Sequence, residues 1–206
     1  MMTDNNRKEY EILNAARERF AHYGFSKVTM DEIASDVGMG KASLYYYFPT
    51  KEELFKAVIY KEQNLFVEEI EKLFCRKMSA ENKLKNYVKK RLEYFHQLVN
   101  LSTLNVNTFA DIKMMFKELF RDFELKELNL IQKIIDEGKT NGEFSSRLKQ
   151  DTAKIFLHLL QGLRLRIIKF IKDNRMEKEN NDELREEMLL FTEIFIKGIK
   201  AHKGIN

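Results

Sequence analysis

One cysteine, one proline and no tryptophan occur in the 206 residues, and each scarcity removes a class of protein. Cys75 alone cannot form an internal disulfide, so the chain is not a disulfide-stapled secreted scaffold. Proline occurs only at Pro49, so nothing of that kind interrupts helices elsewhere. The eight glycines are dispersed, and no repeat or low-complexity linker is found. Four scattered histidines, His22, His96, His158 and His202, have no metal-ligand spacing, so neither a metal nor any other cofactor is implied. No apolar run approaches the roughly 18 residues of a membrane span. The stretch Met1-Met2-Thr3-Asp4-Asn5-Asn6 is polar and unlike a secretion signal. A cytoplasmic protein without a membrane partner is expected. No Ser/His/Asp, Cys/His or paired-carboxylate pattern stands above chance spacing, so an enzyme is not expected.

What remains is a helical chain. A hydrophobic content of 44% in 206 residues suffices for one or two cores. Hydrophobic periodicity predicts about nine helices, at roughly 6–23, 30–37, 41–47, 51–77, 80–100, 105–113, 115–138, 150–173 and 183–202. Asp173-Asn174-Arg175 through Asn180-Asn181-Asp182 reads as a solvated loop between the last two. The fold class is all-α. The formal net charge is +4, but residues 1–58 hold eight Lys and Arg against nine Asp and Glu, a net of −1. Overall basicity therefore says nothing about nucleic acid, and the placement of single cations carries that argument.

The most informative stretch is Thr29-Met30-Asp31-Glu32-Ile33-Ala34-Ser35-Asp36-Val37-Gly38-Met39-Gly40-Lys41-Ala42-Ser43-Leu44-Tyr45-Tyr46-Tyr47. Thr29 with Glu32 predicts a capping box that opens one helix, and Gly38 suits the left-handed residue that closes it. Pro49 forces Phe48 out of helical angles and limits the second helix to about two turns. The two helices and their glycine-bearing turn form a helix-turn-helix. Ile33 and Val37 make an apolar ridge, Ala34 permits a close crossing, and Leu44 with Tyr47 supplies the matching face. Opposite Leu44 lie Ala42 and Tyr46, flanked by Ser43 and Tyr45, with Lys41 at the helix start. Three consecutive tyrosines cannot all face one core on a 3.6-residue period, so some hydroxyls point outward. Lys27, Lys41 and Lys51 bracket the pair. Thr50 with Glu53 caps the following helix, and Ser79 caps the fifth.

These residues, continued by Phe48-Pro49-Thr50-Lys51-Glu52-Glu53-Leu54-Phe55, resemble the signature of the TetR/AcrR family of bacterial transcription regulators. The resemblance spans roughly residues 9–60, with Ile12, Ala15, Ala16 and Phe20 on the first helix, then Gly24-Phe25 and Val28-Thr29. Further on, Ile134-Ile135-Asp136-Glu137-Gly138 and Asn141-Gly142-Glu143-Phe144 are similar to a link near the family's penultimate helices. The resemblance implies a DNA-binding domain over residues 1–50, with a recognition helix at about 41–47, and a helical effector-binding and dimerisation domain over 51–206. It implies that Thr29 holds a phosphate, that Tyr45, Tyr47 and Lys51 touch the backbone, and that Lys41, Ala42, Ser43 and Tyr46 face base edges. Gly40 departs from the small polar residue common at its position, which removes a phosphate contact or loosens the turn.

Beyond residue 60 the reading is coarser. Phe109, Ile112, Met115, Phe116, Leu119, Phe120 and Phe123 form an apolar stripe at helical spacing, the pattern of an ordinary core. The resemblance implies a ligand cavity among the middle helices, for which Phe66, Phe95, Phe109, Met115, Phe116, Phe120 and Phe123 are the candidate lining. A hydrophobic or amphipathic small-molecule effector of unknown identity is expected. On the eighth helix Lys154, His158, Gln161, Lys169 and Lys172 share a polar face, which places His158 in solvent, while Arg164 and Arg166 point away from it. The last two helices carry more apolar surface than a monomer's outer layer needs. Phe156, Leu160, Leu163, Ile167, Met188, Phe191 and Phe195 are therefore candidates for a four-helix homodimer interface.

The need for two short recognition helices predicts a homodimer that reads a palindromic double-stranded operator, and the resemblance implies that it is a repressor released by its effector. Its half-sites would lie about 34 to 36 Å apart or a multiple of that. Residues 51–77 contain no Pro or Gly and would transmit motion rigidly to the DNA-binding heads. The alternative is a constitutive or protein-partnered helix-turn-helix regulator without a small-molecule effector. A sizeable internal cavity, or a thermal shift with hydrophobic compounds, separates the two.

Overall fold

The computed structural model describes the backbone of residues 4–101, 117–172 and 178–201 and the side chains of 4–94, 117–163 and 185–201. Within them the chain forms α1 (Asp4–Tyr23), α2 (Met30–Asp36), α3 (Lys41–Tyr47), α4 (Lys51–Phe74), α5 (Ala80–Leu101), α6 (Lys117–Thr140), α7 (Thr152–Lys172) and α8 (Lys178–Ile199), and no strand. The all-α expectation holds. The expected helix at 105–113 lies outside the described residues, as does part of the expected loop at 173–182, of which residues from Lys178 onward are helical.

Two compact units divide the chain, one of Met1–Leu65 with Tyr94–Leu119, the other of Phe66–Glu93 with Phe120–Asn206. The first therefore extends past the expected boundary at residue 50. Its core explains why: Phe55 of α4 stacks edge-on against Phe20 of α1 at 5.0 Å and meets Phe25 at 4.9 Å. Ile12, Ala16, Phe20, Ile33, Leu44, Leu54 and Val58 are buried with it. Polar ties reinforce the α1–α4 seam. Arg17 Nε donates to Glu62 at 3.0 Å, and Lys61 Nζ donates to Asn14 at 2.8 Å while lying 3.6 Å from the Tyr10 ring centroid.

The second unit is organised around α5 and α6. Glu127 accepts from the Tyr87 hydroxyl and from Arg91 Nε, each at 2.6 Å, and Arg91 is 1% exposed. One turn from the start of α5, Lys83 Nζ reaches Glu137 at 2.7 Å. Ser79 accepts from Asn82 N as the expected cap, and the Glu143 carboxylate accepts from the amides of Ala80 and Glu81. Gly138 lies directly beneath the Phe144 ring, so that a Cβ there would come 2.2 Å from Phe144 Cδ2. Beyond Gly142, which takes φ +73°, Phe144 and Lys200 form an isolated antiparallel bridge that joins this turn to the end of α8. Helices α7 and α8 pack on each other through Phe156, which lies 5.9 Å from Phe191 and 4.4 Å from Phe195 between ring centroids.

Candidate nucleic-acid interface

The helix-turn-helix forms as its residues dictate. Thr29 Oγ1 accepts from Glu32 N at 3.3 Å, and Glu32 Oε2 in return accepts from Thr29 N at 2.8 Å and from the Thr29 hydroxyl at 2.9 Å. This reciprocal box satisfies donors that a helix start otherwise leaves open. It also holds the Glu32 carboxyl below its ordinary pKa, chiefly through the Thr29 amide. At the other end Gly38 adopts φ +66°, and Met39 N donates to Ala34 O at 3.0 Å. Gly40 then opens α3 with no side-chain hydrogen bond, the cost of lacking a polar residue there. Phe48 closes α3 at φ −134°, as the proline that follows requires.

Burial sorts the seven residues of α3. Leu44 is fully buried, and Ile33 and Ala34 of α2 are buried in the same unit, while Val37 is half-buried. Lys41, Ala42, Ser43, Tyr45 and Tyr46 are exposed, Tyr46 to 81%, and Tyr47 is half-buried with its ring 5.6 Å from that of Tyr46. The side opposite the core thus presents two small side chains and two phenols, a surface able to enter a major groove and meet base edges.

Three candidates already have partners in the free protein. The amide and hydroxyl of Thr29 are taken by Glu32, as above. Lys51 Nζ turns inward, donating to Phe25 O at 3.0 Å and Val28 O at 3.1 Å with the Phe25 ring centroid 4.5 Å away. It fixes the loop between α1 and α2 and so sets where Thr29 stands. Lys41 Nζ donates to Asp31 Oδ2 at 2.8 Å and lies 5.9 Å from the Tyr45 ring centroid. Asp31, missed in the sequence, was findable: it occupies the first turn of α2, ten residues before the first residue of α3. Behind this surface Arg19 of α1 clamps Asp36, with its second hydrogen bond at 2.8 Å, and approaches Glu32 at 3.5 Å.

The remaining candidates are placed differently from one another. Phe66 and Phe123 are buried, 5.7 Å apart between ring centroids, and Phe120 is half-buried. Phe109, Met115, Phe116 and the side chain of Phe95 lie outside the described residues. On α7 and α8, Phe156, Leu160 and Met188 are buried within the subunit itself, leaving almost no surface for a partner. Leu163, Phe191 and Phe195 are half-buried, and the side chain of Ile167 is not among those described. Among the described side chains of these helices, the large apolar residues that face outward are Ile155, Leu159, Leu190 and Ile194. On α7 the row through Phe156 and Leu160 turns inward, and on α8 the row through Met188, Thr192 and Ile196 does, with Phe191 and Phe195 at its edge against Phe156. His158 is exposed, 3.5 Å from Glu124. Among the described residues no group of His, Cys, Asp or Glu is arranged to hold a metal, and no helix is long and apolar enough to cross a membrane.

Residues 12–58 match the family model of bacterial regulatory proteins of the tetR family, and residues 60–161 match that of the YsiA-like protein C-terminal region. A solved transcriptional regulator from Cytophaga hutchinsonii is 45% identical, with a TM-score of 0.85 over 92% of this chain and 96% of that one. The transcriptional regulator QacR of Staphylococcus aureus is 27% identical over 92% of this chain and 96% of its own length. The fatty acid metabolism regulator protein of Bacillus subtilis is 24% identical over 71% of this chain and 76% of its own. A helix-turn-helix with an outward-facing α3 and matches on both sides of residue 59 lead to one assignment. The chain belongs to the TetR family of bacterial transcriptional regulators.

Proposed function

We propose that this regulator acts as a homodimeric repressor, which reads a palindromic operator and is released by a hydrophobic or amphipathic small molecule. The observation that carries the reading is the exposed face of α3, where Tyr46 stands 81% in solvent between the small side chains Ala42 and Ser43 and the core-facing Leu44. An aromatic side chain that far into water adds little to packing beyond its edge-on contact with the Tyr47 ring and is available to DNA. A seven-residue helix touches only a few base pairs, so two copies are needed for useful specificity. Ile155 and Leu159 on α7 with Leu190 and Ile194 on α8, each about half exposed, supply an apolar face for the second copy. A protein that reads the bacterial chromosome works in the cytoplasm.

The effector reading rests on the aromatic interior of the second unit, where Phe66 meets Tyr87 at 6.1 Å and Phe123 at 5.7 Å. The B. subtilis relative is named for fatty acid metabolism, and a B. subtilis FadR, 21% identical with a TM-score of 0.61 over 92% of this chain and 98% of that one, was solved with stearoyl-CoA. Long-chain acyl-CoA is therefore the first effector to try. A ligand that favours one arrangement of the middle helices needs only different affinities for two states to release the DNA. The helix α4, without internal Pro or Gly, is suited to carry that difference.

Selection from random duplex DNA with the ligand-free protein is expected to enrich a two-fold palindrome. Tyr46→Ala should weaken binding to it, and stearoyl-CoA should release the wild-type protein from it. If a palindrome is enriched but neither acyl-CoA nor other apolar compounds shift the melting temperature or release DNA, the regulator is constitutive.

A further inference from the structure

The three cations that bracket the helix-turn-helix are not equivalent. Lys27 is exposed, Lys51 is tied to the carbonyls of Phe25 and Val28, and Lys41 is tied to Asp31. The Lys41 and Asp31 side chains are each 58% exposed, so the ammonium stands on the outer surface with a carboxylate 2.8 Å away. The negative end that a helix start favours is already provided at α2 by Glu32, which completes the capping box. Asp31 is thus not needed to start α2. Its position beside the recognition helix has the opposite sign from what phosphates attract. Residues 1–58 carry a net charge of −1, so each cation on this surface counts.

We propose that Asp31 is a specificity-determining residue, which neutralises Lys41 toward the phosphate backbone and yields it only where a base edge offers a competing acceptor. This rests on the regulator reading above. On arbitrary duplex the pair presents no net charge and releases no counterion, so Lys41 adds nothing to sequence-independent affinity. The pair is exposed and screened, which makes it weak enough to open. At a site that places guanine O6 or N7 within reach, the ammonium exchanges carboxylate for base. In every other register no base acceptor compensates for the broken pair and the released Asp31 charge, so the pair stays closed.

Asp31→Asn separates charge from shape. Affinity for the selected operator and for a scrambled duplex is measured for the full chain between about 50 and 200 mM salt, the range in which phosphate contacts are most visible. In the variant the freed Lys41 is expected to make one more phosphate contact per head on the scrambled duplex. The salt slope should steepen by about 0.9 per head, about 1.8 for the two heads of a dimer, so that a fourfold dilution of salt raises the dimer's non-specific affinity roughly tenfold more than in the wild type. The preference for operator over scrambled duplex should fall accordingly. Adding Lys41→Ala to Asp31→Asn should return the slope to that of the wild type. An unchanged slope in Asp31→Asn, or a slope still steep in the double variant, overturns the proposal. Circular dichroism melts establish that each variant folds, and Asp31→Ser replaces Asp31→Asn if the latter melts early. The wild type's preference for operator tests the regulator reading separately.

Discussion

Arg91 and Gly138 are the residues whose substitution should be felt most in the second unit. The Arg91 guanidinium is buried with Glu127 opposite it and the Tyr87 hydroxyl on the same carboxylate oxygen. Removing one member of a buried ion pair typically costs about 3–5 kcal/mol, because the remaining charge stays out of water. Glu127→Ala is expected to lose that amount in urea unfolding, and the loss should exceed that of Arg91→Leu combined with Glu127→Leu. At Gly138 two effects oppose each other. Alanine within a helix gains up to about 1 kcal/mol over glycine, yet its Cβ would meet Phe144 Cδ2 at 2.2 Å and Ala80 Cβ at 2.9 Å. Overpacking of this kind costs about 1–3 kcal/mol, so Gly138→Ala should destabilise. Phe144→Ala in the Gly138→Ala background should cost less than Phe144→Ala alone, a coupling that a double-mutant cycle reads directly. Sequence made the Gly138 to Phe144 stretch visible as a family-like link. The clash that demands glycine there was not visible, since it depends on a ring six residues away folding back over the helix.

At the level of elements, the short helices were legible because their ends are chemically marked. Thr29, Glu32, Gly38 and Pro49 fix the limits of α2 and α3 locally, and burial of Leu44 follows from the wheel. Tyr46→Ala should therefore change stability by no more than about 0.5 kcal/mol while weakening operator binding, whereas Leu44→Ala should cost about 2–5 kcal/mol. The long helices were legible in extent and ambiguous in facing. On α7 the rows through Phe156 and Leu160 and through Ile155 and Leu159 are both apolar at a spacing of four, and periodicity does not say which row turns inward. The same holds on α8, where Met188, Thr192 and Ile196 are buried and Leu190 and Ile194 are not. If the outer rows form the dimer, Leu159→Glu with Ile194→Glu should convert the protein to monomers in analytical ultracentrifugation without loss of helical signal. Phe156→Glu should instead unfold the subunit.

For the molecule as a whole, pH acts from both sides. Glu32 is held below its ordinary pKa by the Thr29 amide, Asp36 by hydrogen bonding to Arg19, and Glu81 by Lys200 and Lys85. Groups lowered in the folded state contribute stability above their unfolded values, 4.5 for the glutamates and 3.8 for the aspartate. That contribution is lost as pH falls through the folded values. Tyr87 is raised well above 10.0, first by burial and then by the Glu127 charge, so its contribution is complete below pH 10.0 and is lost as pH rises beyond it. Melting temperature is expected to fall below about pH 4 and again above about pH 10, and Tyr87→Phe should soften only the alkaline limb.

The stitch at the end of α8 bears on the order in which the second unit can close. Ser145 N donates to Ile199 O, Ala201 N donates to Glu143 O, Lys200 Nζ reaches Glu81 at 2.8 Å, and Glu143 holds the amides that open α5. Three segments far apart in synthesis thus close in one place. Residue 201 must have left the ribosome before the start of α5 has all its partners, although the helix-turn-helix was translated long before. The caps and turn of the helix-turn-helix rest on residues 29–48 alone, so the reading head takes shape on the ribosome while the start of α5 is still waiting for its last partners.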